Sequence, residues 1–116
     1  MYSISDNGII SLNRGDYFSV PLFINAGTVL EPIRYILEGD DKVYLSIMEG
    51  NQPFECGIIR KVFTKEDLNE YSDVNIILES NDTEKLLPGR YYYSIKLVRE
   101  GIIDTINPNK LLYIKD

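Results

Sequence analysis

The amino-acid sequence predicts an all-β fold, an antiparallel β-sandwich of about seven to eight short strands with at most one short helical turn. Three observations predict it: apolar and polar residues alternate in short segments, turn-forming residues separate those segments at nearly regular spacing, and the 116 residues match the size of one common domain. Alternation with a period of two buries one face of each strand, so two sheets packed face to face would enclose the core. An open barrel of similar strand count is the alternative. Because no linker or internal repeat divides residues 1–116, we expect one domain.

Seven segments carry the alternation. The predicted strands are residues 8–12, 17–24, 43–48, 56–63, 74–78 and 90–98, with a last segment built from residues 102–106 and 111–115. Pro21 implies a sheet edge or a bulge, because proline has no N–H to donate to a ladder. Residues 107–109 interrupt the last segment, which we expect to be one interrupted strand or a closing hairpin. Ile102, Ile103 and residues 111–115 are the predicted edge, where a second subunit could add a strand.

The alternation also assigns a face to each side chain in the strands. The residues expected to point inward are Phe18, Val20, Leu22, Ile24, Val43, Leu45, Ile47, Val74, Ile76, Leu78, Tyr91, Tyr93, Ile95 and Leu97. The opposite face would carry Tyr44, Ser46, Met48, Tyr92, Ser94, Lys96 and Val98. Within the adjacent pair Arg60-Lys61, one side chain would point inward and the other outward.

One helical turn is predicted, at residues 64–68. Thr64 can cap the first nitrogens of such a turn, and Asp67 can reach back to the N–H of Thr64 as in a capping box. Residues 80–85 also have capping character, but there we expect a turn.

Charge and composition exclude several functions. Twelve Lys and Arg against 18 Asp and Glu give a net charge of -6, which repels phosphate backbones and anionic lipid, so we expect neither nucleic acid nor a membrane as a partner. The chain has no histidine, which removes the usual general base and zinc ligand, and its single cysteine, Cys56, forms no internal disulfide. We therefore predict no enzyme activity, no cofactor and no metal site. The start of the chain lacks the order of a secretory signal.

Acidic clusters are the first candidates for chemistry. Two groups of carboxylates invite a calcium site, namely Glu38, Asp40 and Asp41, and Glu66, Asp67 and Glu70. Neither group has the alternating spacing of a calcium loop, so both are predicted to be solvated turns. A pair of acids for glycoside cleavage is not expected, because a sandwich this small has little surface for a deep cleft.

Three short motifs have structural interpretations. Arg14-Gly15-Asp16 is a cell-adhesion tripeptide in form, but a turn between the first two strands explains it. Asn81-Asp82-Thr83 has the form of a glycosylation acceptor, and a turn with capping side chains is the better account. Cys56 is predicted to be a small residue in a strand and not a nucleophile.

Tyrosine is the residue type that most suggests binding, because nine are present and tryptophan is absent. Interfaces favour tyrosine because it combines a large area with few rotatable bonds. Tyr91 and Tyr93 are predicted to be core residues, while outward-facing tyrosines could contact another subunit, lie half-exposed on the sheet, or bind a sugar. The predicted interface residues are Tyr44, Tyr92, Ile102, Ile103, Leu111 and Tyr113.

The segment Leu86-Leu87-Pro88-Gly89-Arg90-Tyr91 narrows the type of sandwich. A leucine, a Pro-Gly turn and a buried tyrosine at the start of the next strand are what the tyrosine corner of an immunoglobulin-like sandwich requires. The phenol of Tyr91 would bond to the turn backbone while its ring fills the core. We therefore expect an immunoglobulin-like fold.

The chain also resembles a known family. Residues 12–16 followed by 20–24, the strand at 43–47, and Asp82-Thr83 followed by residues 87–97 resemble the immunoglobulin-like N-terminal domain of phage baseplate upper proteins and the small phage virion proteins built on it. In that family the domain begins a longer chain and fixes a fibre or adaptor to the particle. Because this sequence carries no fibre region after the sandwich, attachment, capping or decoration of a tail, baseplate or capsid is expected in place of receptor binding.

The resemblance implies a non-catalytic structural or adaptor component of a tailed bacteriophage particle. Its partners would be other virion subunits, with the chain present as a homo-oligomer or in many copies in a symmetric assembly. The chain would be made in the host cytoplasm and located in the virion. A small carbohydrate-binding module is the alternative function, with a glycan as the ligand.

Overall fold

The computed structural model describes residues 2–4 and 8–116, and for residues 2–4 the strand pairing alone. Eight strands lie in this part of the chain: β1 Tyr2–Ile4, β2 Ile10–Asn13, β3 Phe18–Leu22, β4 Lys42–Met48, β5 Ile59–Phe63, β6 Val74–Leu78, β7 Gly89–Arg99 and β8 Ile102–Lys115. They confirm the predicted all-β sandwich. The helical elements among these residues are a five-residue α-helix, α1 Ser80–Glu84, and two 3-10 turns, Phe54–Cys56 and Lys65–Asp67.

The strands form a large sheet and a small one. The large sheet has six strands in the order β1-β2-β8-β7-β4-β5, and the small sheet pairs β3 with β6. One pairing departs from the antiparallel arrangement expected: β2 runs parallel to β8, with Ile10 opposite Leu112 and Leu12 opposite Ile114. Pro21 lies in the small sheet, where β3 has one neighbouring strand among the described residues, as an edge position for proline predicts.

The core lies between the two sheets and follows the predicted alternation. The small sheet contributes Phe18, and the large sheet contributes Val43 and Ile47, all essentially without exposed surface. The other side chains predicted to point inward are also buried or half-buried against this cluster. A period of two with one apolar face is thus sufficient to define which side of each strand meets the other sheet.

The last strand is continuous and pairs with β7 along its length. Register shifts between Tyr93 and Lys96 accommodate the residues around Pro108, which has no N–H for the ladder. The prediction that residues 111–115 form an edge is wrong, because this segment lies between β7 and β2. Ile102 and Ile103 stay exposed at the start of the strand, where no described residue of β2 pairs with them.

The helical turns follow their capping residues. At the predicted position, the N–H of Thr64 donates to the carboxylate of Asp67 at 2.7 Å, and the turn Lys65–Asp67 is a 3-10 helix. The α-helix lies instead at Ser80–Glu84, where the sequence predicts a turn. There the N–H of Glu79 donates to Asp82 at 3.0 Å, so the same reciprocal capping continues the turn into a helix.

The tyrosine corner is formed as predicted. The hydroxyl of Tyr91 donates to the carbonyl oxygen of Leu87 at 2.7 Å, and its ring is buried. This bond fixes the entry into β7, the strand that contacts both β4 and β8. The finer immunoglobulin-like assignment stays a prediction.

Candidate functional site

The β3–β4 connection contains a hairpin, residues 23–36, that closes on its own backbone. Asn25 forms an antiparallel bridge with Arg34. The N–H of Ala26 donates to the carbonyl of Ile33 at 2.7 Å, and the N–H of Tyr35 donates to Ile24 at 2.8 Å. Although too short to count among the eight strands, the 23–36 hairpin is closed by this single bridge and its flanking backbone hydrogen bonds.

Side chains accept hydrogen bonds from the backbone N–H groups at the turn of the 23–36 hairpin. The amide oxygen of Asn25 accepts from the N–H of Gly27 at 2.8 Å and from that of Ile33 at 3.1 Å. The hydroxyl oxygen of Thr28 accepts from the N–H of Glu31 at 3.0 Å. A Cβ on Gly27 would lie 2.3 Å from the carbonyl oxygen of Glu31, so only glycine permits this close approach.

The tip of the 23–36 hairpin presents aliphatic side chains to solvent. Val29 is 94% exposed and Leu30 is 92% exposed, more than any other large apolar residue described. Phe23, Ile33 and Ile36 are also exposed in this segment. Because the backbone polar groups are satisfied locally, the tip can hold apolar side chains in water without unfolding. A grouped set of exposed apolar residues marks an interaction site more often than scattered ones do.

The base of the 23–36 hairpin is anchored in the fold. Ile24 is part of the core, and the hydroxyl of Tyr35 donates to the carboxylate of Asp41. This hydrogen bond, with burial, raises the pKa of the Tyr35 phenol above its usual range. The guanidinium of Arg99 stacks 5.0 Å from the centre of the Tyr35 ring. Prediction of a solvated turn at Asp41 is wrong, since its carboxylate is buried and also accepts from the N–H of Glu38 at 3.1 Å.

A second feature lies between the sheets: an apolar cavity of about 430 Å³, which we call the inter-sheet cavity. Its walls are aliphatic and aromatic side chains from both sheets, among them Ile10, Val20, Leu22, Ile95 and Leu112. The small sheet has two strands and the large sheet six, so the small sheet leaves part of the large one uncovered at this point.

Polar groups lie at the opening of the inter-sheet cavity. Its more exposed lining residues include Pro21, Asn107 and Lys110. The hydroxyl of Tyr93 donates to the carbonyl of Gly8, and burial raises the pKa of this phenol. The ion pairs formed among residues 8–116 do not include Lys110. The cavity is therefore apolar inside with one ammonium group near its opening.

The tyrosines predicted to form an outward contact surface are half-buried and do not form one row. Tyr92 lies opposite Leu111 and beside Tyr113 on the outer face of the large sheet, whereas Tyr44 lies opposite Lys96. The residues between them, Ser46 and Met48, are fully buried on this face. Of the predicted interface residues, Ile102 (58%) and Ile103 (63%) are the most exposed.

The β4–β5 connection, residues 49–58, covers that part of the outer face. The hydroxyl of Ser46 donates to the carbonyl of Phe54 at 2.7 Å, and the ammonium of Lys96 lies 4.5 Å from the centre of the Phe54 ring. The side-chain amide of Asn109 donates to Asn51 and to the carbonyl of Gln52. Outer-face residues of β4 are thus buried by a segment that the alternation of the strands does not describe.

The three short motifs have structural roles. Arg14-Gly15-Asp16 forms the predicted turn, in which the N–H of Asn13 donates to Asp16 at 3.0 Å, and Arg14 donates through Nε to the carbonyl of Glu84 at 2.7 Å. Cys56 ends the first 3-10 turn and is exposed, so its prediction as a strand residue is wrong because β5 begins at Ile59.

Asp82 is a buried acid at the end of the core. Its carboxylate lies 2.7 Å from the ammonium of Lys61, which is the inward member of the Arg60-Lys61 pair. Burial acts to raise the pKa of Asp82, but the hydrogen bonds from Lys61 and from the N–H of Glu79 outweigh it and hold the pKa below its usual range. The neighbouring Thr83 is fully buried and donates to the carbonyl of Asp16 at 2.8 Å.

No three His, Cys, Asp or Glu side chains within residues 2–4 and 8–116 are grouped so that they could hold a metal ion. Over the same residues, no helix has the length and apolar character that crossing a bilayer requires.

Sequence reasoning missed Val29 and Leu30, the most exposed large apolar residues in the part of the chain that the structure describes. The segment Gly27-Thr28-Val29-Leu30-Glu31-Pro32 contains two aliphatic residues between turn-forming ones, and it lies outside every alternating segment. An apolar pair in such a position is the signal that could have identified a hairpin tip.

Comparison with known proteins finds no relative of this chain. No family model matches the chain, and neither a curated protein nor a solved structure matches it significantly.

Proposed function

We propose that this chain is a non-catalytic structural or adaptor component of a tailed phage particle that acts through protein–protein contacts. The observation that carries the contact role is the tip of the 23–36 hairpin, where Val29 and Leu30 are held almost fully exposed on a hydrogen-bonded turn. The tip is pre-ordered, so binding through it costs little conformational entropy.

A partner that covered the tip would bury both Val29 and Leu30. Burying a Val or Leu side chain that was fully exposed contributes roughly 1.5–3 kcal/mol each. Central apolar anchors of this kind carry a large share of the energy in protein interfaces. Phe23 and Ile33, which are more than half exposed, would extend the contact around the tip.

The phage setting is supported by the sequence resemblance, which spans the opening turn and strand, the strand at 43–47 and the Pro-Gly corner. The tyrosine corner that this resemblance uses is formed in the structure. The proposal therefore places the chain in the virion, in several copies beside other subunits, after synthesis in the host cytoplasm.

Mass spectrometry of purified particles tests this proposal. We expect the chain in the particles at a fixed copy number, and we expect Leu30→Ser to lower that copy number at least tenfold while the soluble protein stays folded. Leu87→Ser is the matched control, because Leu87 is also an exposed leucine, at 67%, outside the hairpin. Absence of the chain from particles would refute the structural role, and equal loss with both variants would refute the role of the tip.

The carbohydrate-binding alternative requires a row of exposed tyrosines. Tyr44, Tyr92 and Tyr113 are half-buried and belong to two separate parts of the outer face. A glycan array on the purified protein separates the two functions, since saturable binding of a sugar that is lost with Tyr92→Ala would favour the alternative.

A further inference from the structure

We propose that the tip of the 23–36 hairpin of one copy inserts into the inter-sheet cavity of a second copy, so that the chain self-associates head to tail. This inference rests on the proposed function in taking the hairpin as a contact site, and it names the partner and the surface that receives the tip. Each copy would offer one tip and one cavity, and such a contact propagates into a ring or a filament.

Apolar character is the first match between the two surfaces. The tip offers two aliphatic side chains in sequence, Val29 and Leu30, and the cavity of about 430 Å³ has aliphatic walls that include Val20 and Leu22. Apolar cavities hold water poorly and accept apolar groups readily. Insertion would remove the most exposed apolar side chains and the apolar cavity wall from water in one step.

Charge is the second match. Glu31 follows Leu30 directly and is exposed, while Lys110 lies near the opening of the cavity. Neither side chain takes part in the ion pairs formed among residues 8–116. With the tip inserted, the carboxylate of Glu31 would meet the ammonium of Lys110. In a chain with a net charge of -6, that pair also offsets repulsion between copies.

The tip does not fill the cavity of its own chain. The bonds from Ala26 to Ile33 and from Tyr35 to Ile24 hold the hairpin in a conformation that leaves Val29 and Leu30 more than 90% exposed. Neither side chain lines the cavity of its own chain, whereas a second copy can approach the tip as it stands.

Sedimentation velocity over a concentration series tests the proposal. We expect wild-type protein to form oligomers larger than dimers as concentration rises. Leu30→Asp, which alters the tip, and Val20→Phe, which fills the cavity from a half-buried position, should each be monomeric with an unchanged β-sheet circular dichroism spectrum. An equal mixture of the two variants should form one-to-one dimers and nothing larger, because one intact tip and one intact cavity remain. Leu87→Asp is the control that should associate like wild type.

Charge reversal tests the contact between Glu31 and Lys110 independently. Glu31→Lys and Lys110→Glu should each weaken association at least tenfold, and the double variant should recover most of it because the pair is restored with opposite sign. Glu31→Lys makes the chain less negative, so general repulsion between copies would strengthen its association. A loss of association in Glu31→Lys that the double variant recovers therefore requires the two residues to meet.

Several outcomes would overturn the inference. A wild-type protein that stays monomeric at millimolar concentration, association that persists in both single variants, or a mixture that forms no dimer each contradicts it. Native mass spectrometry that finds a small apolar ligand such as decanoate bound with no self-association would assign the cavity to that ligand instead. If Leu30→Ser lowers the copy number in particles while wild type is monomeric in solution, the proposed function stands and this inference fails.

Discussion

The β3–β4 and β4–β5 connections treat their apolar side chains in opposite ways. The 23–36 hairpin points Val29 and Leu30 into solvent, whereas residues 49–58 bring Phe54 back onto the large sheet. Each contains a glycine at a close approach, Gly27 to backbone atoms and Gly57 to a side chain. A Cβ on Gly57 would lie 1.9 Å from the hydroxyl of Ser46.

The difference lies in where each connection satisfies its polar groups. In the hairpin, the side chain of Asn25 accepts hydrogen bonds from two N–H groups of the same segment, so nothing draws the tip toward the sheet. In the other connection, the partners are Ser46 and Asn109, which belong to the large sheet, and these bonds hold the segment against it. The location of the hydrogen-bond partners of a connection therefore decides which of its apolar residues are buried, and hydropathy alone does not.

Gly57→Ala should have the largest effect, because it disturbs the packing of the β4–β5 connection on the large sheet. The added methyl meets the hydroxyl of Ser46, so either the Ser46 side chain or the β4–β5 connection must shift and the hydrogen bond from Ser46 to Phe54 is disturbed. Because Ser46 is fully buried, we expect a loss of about 2–3 kcal/mol in the free energy of unfolding, as for overpacking in a core. Urea denaturation should show a lower midpoint at constant slope. Gly50→Ala in the same connection is the control, because a Cβ there has ordinary space, and a loss of similar size would contradict the clash.

A third connection, between β6 and β7, is fixed by charge, and Asp82→Asn tests it. We expect a loss of about 1–2 kcal/mol near neutral pH, because Lys61 loses its partner and α1 loses the carboxylate that caps it.

The stabilisation that the Asp82 carboxylate contributes depends on pH. Since the folded pKa of Asp82 lies below its unfolded value, its contribution is present above the unfolded pKa and is lost as pH falls through the folded one. The difference between wild type and Asp82→Asn should therefore shrink as pH falls through the folded pKa of Asp82. Thermal melts at several pH values measure this difference in stability. A difference that grows as pH falls would contradict a stabilising ion pair between Asp82 and Lys61.

Gly27→Ala sharpens the comparison at the other connection. The methyl would collide with the backbone at Glu31 and Ile33, so the 23–36 hairpin should open while the sandwich stays folded, with about 1 kcal/mol or less lost globally. Hydrogen exchange at the amides of Ala26 and Tyr35 should become at least tenfold faster. Unchanged exchange at both amides would mean that the hairpin does not depend on this close approach.

Leu30→Ser should have the smallest effect on stability. An almost fully exposed side chain contributes little to folding, so we expect a change within about 0.5 kcal/mol in the free energy of unfolding. A larger loss, measured by urea denaturation, would mean that Leu30 packs against its own chain and that the tip is not free to bind.

Much of the fold could be predicted from the sequence because strand periodicity is a local signal. The inward faces of β3, β4, β6 and β7, the edge position of Pro21 and the bond of Tyr91 follow from alternation and turn chemistry. The burial of Ser46 and Met48 could not be predicted, since it depends on residues 49–58 folding over them.

The candidate site was less predictable, because sequence patterns report local structure and the site depends on contacts between distant segments. The parallel pairing of β2 with β8 and the inter-sheet cavity depend on which strands become neighbours, and local patterns do not determine this. The exposed tyrosine surface was expected from composition, yet the most exposed apolar residues lie in a segment with no strand periodicity.

The pairing of β2 with β8 also constrains how the molecule folds. Ile10 meets Leu112 across about 100 residues of chain, and β8 separates β2 from the rest of the large sheet. During synthesis on the ribosome, β2 can pair with β1 early, but its ladder with β8 cannot form until β8 has been made. Contacts of such long sequence separation slow folding, so the nascent protein keeps an unpaired edge on β2 until β8 emerges.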